Sequence, residues 1–306
     1  MNRVKKLIHT DYAYRMGLGG QNVTVAVMDT GIVPHPDFGD RIVGFADFCH
    51  GRKEMYDDNG HGTHVSGIIA GNGMMSAGYA TDGRQGIRIY SGIAPKAQLL
   101  MLKVLDEQGN GNTEKVLEAI EWLRGEWKHY GVRILNISVG MLPSAGRGEQ
   151  KKLLEAIDAL WDDGIMVVAA AGNNGPRENS VTIPGISRKV LTVGSSDDEV
   201  YEAGRKGLAK GYSGRGPTEC CIVKPEILAP GTNITSCCRD AKGYQAKSGT
   251  SMAAPVVAGA LALAFERYPK FSPAEMKLRL YERAYPRGEQ LGKTGWGMIH
   301  VDNLVR

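Results

Sequence analysis

Val23-Thr24-Val25-Ala26-Val27-Met28-Asp29-Thr30-Gly31 is a short, almost wholly apolar run that ends on a carboxylate and a glycine turn. A run of this length bounded by turn residues reads as a strand buried on both faces, the kind found in parallel sheets. Similar runs recur at Leu99 to Val104, Ile134 to Ile137, Ile165 to Ala170 and Val190 to Val193. Between them the spacing turns helical. Val116, Ile120, Leu123 and Trp127 follow a cap at Thr113, and Leu153, Ile157 and Leu160 lead to a stop near Gly164. Ser272-Pro273-Ala274-Glu275 has the form of a capping box with proline at the first helical position. Alternating strands and helices predict an α/β fold in three layers, a mainly parallel central sheet with helices on both faces. No repeat or low-complexity linker divides the chain, and the Gly-rich stretch 71–92 reads as a long surface loop, so residues 1–306 are expected to form one domain.

The bulk composition bounds the function. With 306 residues, 42% hydrophobic and 23% charged, the chain matches ordinary globular proteins. A net charge of +4 with Lys and Arg spread along the chain gives no basis for nucleic acid or an anionic membrane as partner. No stretch approaches the roughly 18 apolar residues of a membrane span, and the first residues lack the apolar run of a signal peptide. A cytoplasmic protein is expected, although a secreted one whose leader had been removed would read the same way. The five cysteines are Cys49 and the adjacent pairs Cys220, Cys221 and Cys237, Cys238. An odd count is no disulfide framework, and adjacent residues point in divergent directions, unlike the C-x2-C spacing of zinc sites. Buried or idle thiols are expected.

Four segments carry chemistry. Asp29 ends a buried strand, where open α/β sheets bind their ligands, but an Asp there also starts ordinary turns. In Asn59-Gly60-His61-Gly62-Thr63-His64-Val65-Ser66-Gly67, small residues surround His61 and let backbone and substrate approach. The pair His61 and His64 lacks the H-E-x-x-H pattern of a zinc helix, so His64 is expected to be structural. Ser248-Gly249-Thr250-Ser251-Met252-Ala253-Ala254-Pro255 opens a helix apolar nearly all round as far as Phe265. Ser251 therefore stands at a helix N-terminus, where backbone N–H groups and the dipole favour negative charge, although a serine there can also be a plain cap. Pro255 lies deeper in that helix than its missing N–H favours. Finally, a buried strand from Val167 runs into Gly172-Asn173-Asn174-Gly175, which places the Asn173 amide either in a turn or beside the site.

DTG at 29–31, HGTHVSG at 61–67, AAAGN at 169–173 and SGTSMAAP at 248–255 occur in the order of the subtilase family of serine peptidases, which the chain resembles over nearly its whole length. Segments 103–105, 136–140, 212–217 and 228–231 are similar to family segments as well. The resemblance implies a subtilisin-like fold and a serine endopeptidase that works through an acyl-enzyme without a cofactor. Ser251 would be the nucleophile, His61 the general base and Asp29 the residue orienting His61. Asn173 and the Ser251 N–H would form the oxyanion hole. It further implies that Gly109-Asn110-Gly111 and Ser138-Val139-Gly140 are two edges between which a peptide lies as a strand, giving broad specificity. The primary pocket would lie between Val139-Gly140, Ala170-Ala171-Gly172 and Thr182. Many relatives have glycine where Thr182 stands, so a narrower pocket is expected.

Departures from the secreted pattern are also legible. The residues before Val23 are too few for a folding-assisting prosegment. Asp37 matches a carboxylate that binds structural calcium in many secreted relatives, but a longer loop, 71–86, replaces the one supplying the other ligands, which disfavours calcium there. These features resemble the cytoplasmic branch of the family. A peptide-binding pseudoprotease is the rival reading, but all four catalytic residues are present. A nucleotide-binding protein would need a G-x-x-x-x-G-K-[ST] run after a strand, and there is none.

Overall fold

The computed structural model describes residues 1–78, 88–138, 140, 146–199, 210–218, 222–288 and 291–306. Its helices are α1 (Asn2–Leu7), α2 (Asp11–Arg15), α3 (His61–Ala70), α4 (Thr113–Glu126), α5 (Arg147–Asp162), α6 (Thr250–Arg267), α7 (Pro273–Arg283), α8 (Leu291–Thr294) and α9 (Val301–Val305). Its strands are β1 (Thr24–Asp29), β2 (Ile42–Asp47), β3 (Gln98–Lys103), β4 (Val132–Ile137), β5 (Met166–Ala170), β6 (Leu191–Ser195), β7 (Ile227–Ala229), β8 (Ile234–Cys237) and β9 (Tyr244–Lys247). Seven strands make one parallel sheet in the order β2-β3-β1-β4-β5-β6-β7, while β8 and β9 form a separate antiparallel hairpin. The expected α/β layering is thus present.

The period of two along β1 divides the core. Val25 and Val27 join a cluster with Ile68 of α3 and with Val257 and Leu261 of α6, whereas Ala26 and Met28 join one with Ile120 of α4 and Ile157 of α5. Both faces are therefore covered, which is why the strand reads as apolar without alternation. Every residue of α6 from Met252 to Phe265 is buried. Each large aliphatic or aromatic side chain there contributes about 1.5–3 kcal/mol of burial. Helix α6 is accordingly the central pillar against one face of the sheet.

Local signals mostly fall where expected, with informative shifts. Ser272 and Glu275 make a reciprocal capping box at the start of α7. The cap of α4 is Asn112, whose side chain accepts from Glu114 N at 2.8 Å, and Thr113 is the first helical residue. Gly164, at φ +106, follows α5 as a left-handed stop. Pro255 sits inside α6, so the Ser251 carbonyl lacks the N–H donor that residue 255 would ordinarily supply. Cys49, Cys237 and Cys238 are free thiols, and Cys220 and Cys221 lie outside the described residues.

Candidate active site

The end of β1 delivers Asp29 to the edge of a cleft, and the start of α3 delivers His61. Asp29 is fully buried, and its Oδ1 and Oδ2 lie 2.8 and 3.0 Å from His61 Nδ1. A carboxylate only accepts, so Nδ1 carries a proton, and in the neutral ring that tautomer leaves the lone pair on Nε2. Gly62 permits this closeness, because a Cβ there would collide with the Gly31 carbonyl and lie 3.2 Å from Asp29 Cβ.

A second carboxylate holds the two segments in register. Asp57 accepts five hydrogen bonds: from Thr30 Oγ1 at 2.8 Å, Asn59 N at 3.2 Å, Gly60 N at 2.7 Å, Thr63 N at 2.9 Å and Thr63 Oγ1 at 2.7 Å. Thr30 Oγ1 in turn accepts from Gly62 N at 2.9 Å. Asp57 thus caps the first turn of α3 and ties it to the residue after Asp29. The fully buried Lys103 works from below, its Nζ donating to the carbonyls of Thr30 at 2.6 Å and Leu105 at 2.8 Å and pairing with Asp58 Oδ1 at 2.7 Å.

Ser251, the second residue of α6, lies across the cleft, with Oγ directed at Met252 Sδ at 3.5 Å. Asn173 Oδ1 accepts from Thr250 N at 2.9 Å and Thr250 Oγ1 at 3.0 Å, and Thr250 Oγ1 accepts from Gly172 N at 3.1 Å. A Cβ on Gly249 would stand 3.1 Å from Ser251 Oγ and 3.3 Å from Asn173 Nδ2, so both polar atoms border the same small space. Gly249 also has φ +148, a conformation that side chains resist.

The cleft encloses about 450 Å³ and is lined by His61, Ser251 and Asn173 together with Gly109, Ser138, Gly140, Ala170, Gly172 and Thr182. The expected substrate residues therefore converge, with exceptions. Asn110 is outside the lining, its carbonyl accepting from Asp106 N at 3.0 Å. Ala171 is buried behind it, its carbonyl accepting from Thr182 N at 3.0 Å. Val139 lies outside the described residues. Gly111 instead lines an adjoining apolar hollow of about 80 Å³ with Leu105, Val116, Ile137 and Leu153. The sequence reading missed this hollow, because its walls come from four separate elements.

The sequence profile of the subtilase family matches residues 20–297. The chain belongs to the subtilase family. This subtilase is 40% identical to serine protease AprX of Bacillus subtilis (strain 168) over 306 residues, covering 94% of this chain and 67% of that protein. It is 33% identical to subtilisin DY of Bacillus licheniformis over 299 residues, 97% and 95% of the two chains. The crystal structure of a cold adapted subtilisin-like serine proteinase superposes with a TM-score of 0.73 at 27% identity, over 93% of this chain and 90% of that one. As a subtilase, the protein is a serine endopeptidase acting on peptides or proteins. No helix among the described residues is long and apolar enough to cross a membrane.

The surroundings of Asp37 in this subtilase do not suit calcium. Its Oδ1 accepts from Met75 N at 2.9 Å, and its Oδ2 accepts from the Tyr244 hydroxyl at 2.8 Å and faces Cys237 Sγ at 3.8 Å. Burial, and then the contact with Asp37, pushes the Tyr244 hydroxyl up, and burial followed by the charge of Asp37 does the same to the Cys237 thiol. Both stay protonated donors. Calcium needs about six to eight oxygen ligands, whereas these neighbours present O–H, S–H and N–H groups. His35 stands close enough to Asp37 and Cys237 for a transition ion. Its Nδ1, however, accepts from Asp37 N at 3.1 Å and its Nε2 faces Gly243 O at 3.1 Å, so both ring nitrogens are engaged.

Proposed function

We propose that this endopeptidase cleaves extended peptides with Ser251 as nucleophile, His61 as general base and Asp29 as the group that orients His61. The carrying observation is the 2.8 Å contact between Asp29 Oδ1 and His61 Nδ1, with Ser251 and Asn173 on the same cleft. The Ser251 hydroxyl attacks the scissile carbonyl as His61 Nε2 takes its proton. Asp29 holds the tautomer and stabilises the imidazolium. The tetrahedral oxyanion is received by the Ser251 backbone N–H at the N-terminus of α6 and by Asn173 Nδ2. His61 then protonates the leaving amine, and water repeats the sequence on the acyl-enzyme.

A substrate adds as a strand between the Gly109 and Ser138–Gly140 edges. Pairing through backbone groups makes few sequence demands, which supports broad specificity. Thr182 narrows the pocket for the residue before the scissile bond, so large aromatic side chains are poorly accepted. Calcium at Asp37 has no role in the reaction. The free thiols at Cys49, Cys237 and Cys238 favour a reducing, cytoplasmic setting. Hydrogen bonds from Val301 N to Ile8 O and from Asp302 N to His9 O, at 2.8 and 2.9 Å, support one catalytic unit over residues 1–306. Casein hydrolysis by purified protein tests the assignment: Ser251→Ala should abolish it, and undiminished activity in that variant would end the triad reading. A peptide-library profile dominated by Phe or Tyr before the cleaved bond would end the narrow-pocket reading.

A further inference from the structure

Thr182 closes the wall of the cleft between two glycines. A Cβ on Gly140 would run into its Oγ1, and one on Gly172 into its Cγ2. Its backbone N–H is spent on the Ala171 carbonyl at 3.0 Å, and the residue is only 3% exposed, yet it lines the cleft beside Ser251. Its hydroxyl is buried and has no hydrogen-bond partner among the described residues. Most buried polar side-chain atoms are paired, and an orphan that borders a binding cleft calls for a partner that arrives from outside.

We propose that Thr182 Oγ1 hydrogen-bonds the side chain of the residue preceding the scissile bond and makes this endopeptidase select the amide side chains Gln and Asn over their apolar isosteres. The inference rests on the reading of the cleft given above and adds a substrate class to it. A hydroxyl both donates and accepts, so either end of a carboxamide satisfies it. An apolar side chain leaves the hydroxyl unpaired, whereas the carboxamide of Gln or Asn pairs with it. The same threonine closes the space against large rings, so size and polarity act together. A single unmatched hydroxyl of this kind is worth roughly tenfold or more in kcat/KM.

The test uses matched peptidyl-coumarin substrates differing only in the residue before the cleaved bond, Gln against Met and Asn against Leu. They are hydrolysed by the wild-type enzyme, Thr182→Val and Thr182→Ser. Valine keeps the shape of threonine without its hydroxyl, and serine keeps the hydroxyl. The wild-type enzyme should prefer Gln and Asn, the preference should fall about tenfold in Thr182→Val, and Thr182→Ser should retain it. An active Thr182→Val enzyme with an unchanged Gln-to-Met ratio overturns the proposal alone. A wild-type enzyme that hydrolyses none of the four substrates overturns the reading of the cleft and the proposal with it. Should valine prevent folding, Thr182→Ala compared with Thr182→Ser reads the same ratio.

Discussion

Thr250 donates twice to one oxygen of Asn173, from its backbone N–H at 2.9 Å and from its hydroxyl at 3.0 Å. That double contact assigns the orientation of the amide and turns its NH2 group towards Gly249 and the Ser251 hydroxyl. An oxyanion donor works by being aimed before charge develops. Asn173→Ala is therefore expected to lower kcat by about 10²–10³ with little change in KM, the magnitude found for the matching donor in subtilisin. Thr250→Val, which removes only one of the two contacts, should lower kcat roughly tenfold with KM unchanged. Steady-state kinetics on a peptide amide separates the two variants, and a loss confined to KM would contradict the assignment.

Asp57 connects the residue after Asp29 to the first turn of the helix bearing His61. Asparagine there would present an NH2 group to donors that need an acceptor. Asp57→Asn should cost about 3 kcal/mol of stability and lower kcat more than it raises KM. Denaturant titration in the Ser251→Ala background, together with kinetics of the single variant, checks both halves.

His64 predicts an acid-labile fold. Its Nε2 donates to the carbonyls of Ile234 and Gln245, each at 3.0 Å, while its buried Nδ1 has no partner among the described residues. Burial, followed by the charge of Lys247, pushes its pKa down from 6.5 to about 3. Between those values the unfolded chain binds the proton and the folded chain does not, so stability rises with pH up to about 6.5 and is lost on acidification below it. About 2 kcal/mol should disappear between pH 6.5 and 5, above the range where most carboxylates titrate. Urea midpoints of the Ser251→Ala protein over that range provide the measurement, and a flat profile would refute it.

Around Asp37 the chain's own donors occupy the carboxylate. Asp37→Asn is expected to destabilise the protein by about 1–3 kcal/mol. The loss should be the same in millimolar calcium and in chelator. A loss seen only with calcium present would restore a metal to the site.

What the sequence disclosed was mostly what local chemistry dictates. The strand read from Val23 to Met28 lies one residue from its observed bounds, and Ser272 and Glu275 cap α7 as their spacing requires. Asp29 ends β1, His61 begins α3, Ser251 is the second residue of α6 and Asn173 lies three residues beyond β5, so all four come together where these elements end or begin. Asp57 stayed hidden because its role depends on Thr30, a distant residue in the chain, and because Asp57-Asp58-Asn59-Gly60 reads as a turn. Strand β2 is half-buried along its whole length at the sheet edge, so it shows neither a buried run nor an alternation. Lys103 is a charged residue inside the apolar run from Leu99 to Val104, and its burial is tolerable because its ammonium meets three acceptors, the Thr30 and Leu105 carbonyls and Asp58 Oδ1.

Helix α6 fills the core and also carries Ser251, the proposed nucleophile. A molecule that loses the packing of α6 loses its Ser251 geometry, so on unfolding it becomes prey and ceases to be a predator. Self-digestion then needs an encounter between one folded and one unfolded copy. Its rate follows the product of the two populations and rises with the square of protein concentration. It peaks where the populations are equal and fades on either side, so the half-life of a stored sample is governed by dilution as much as by temperature.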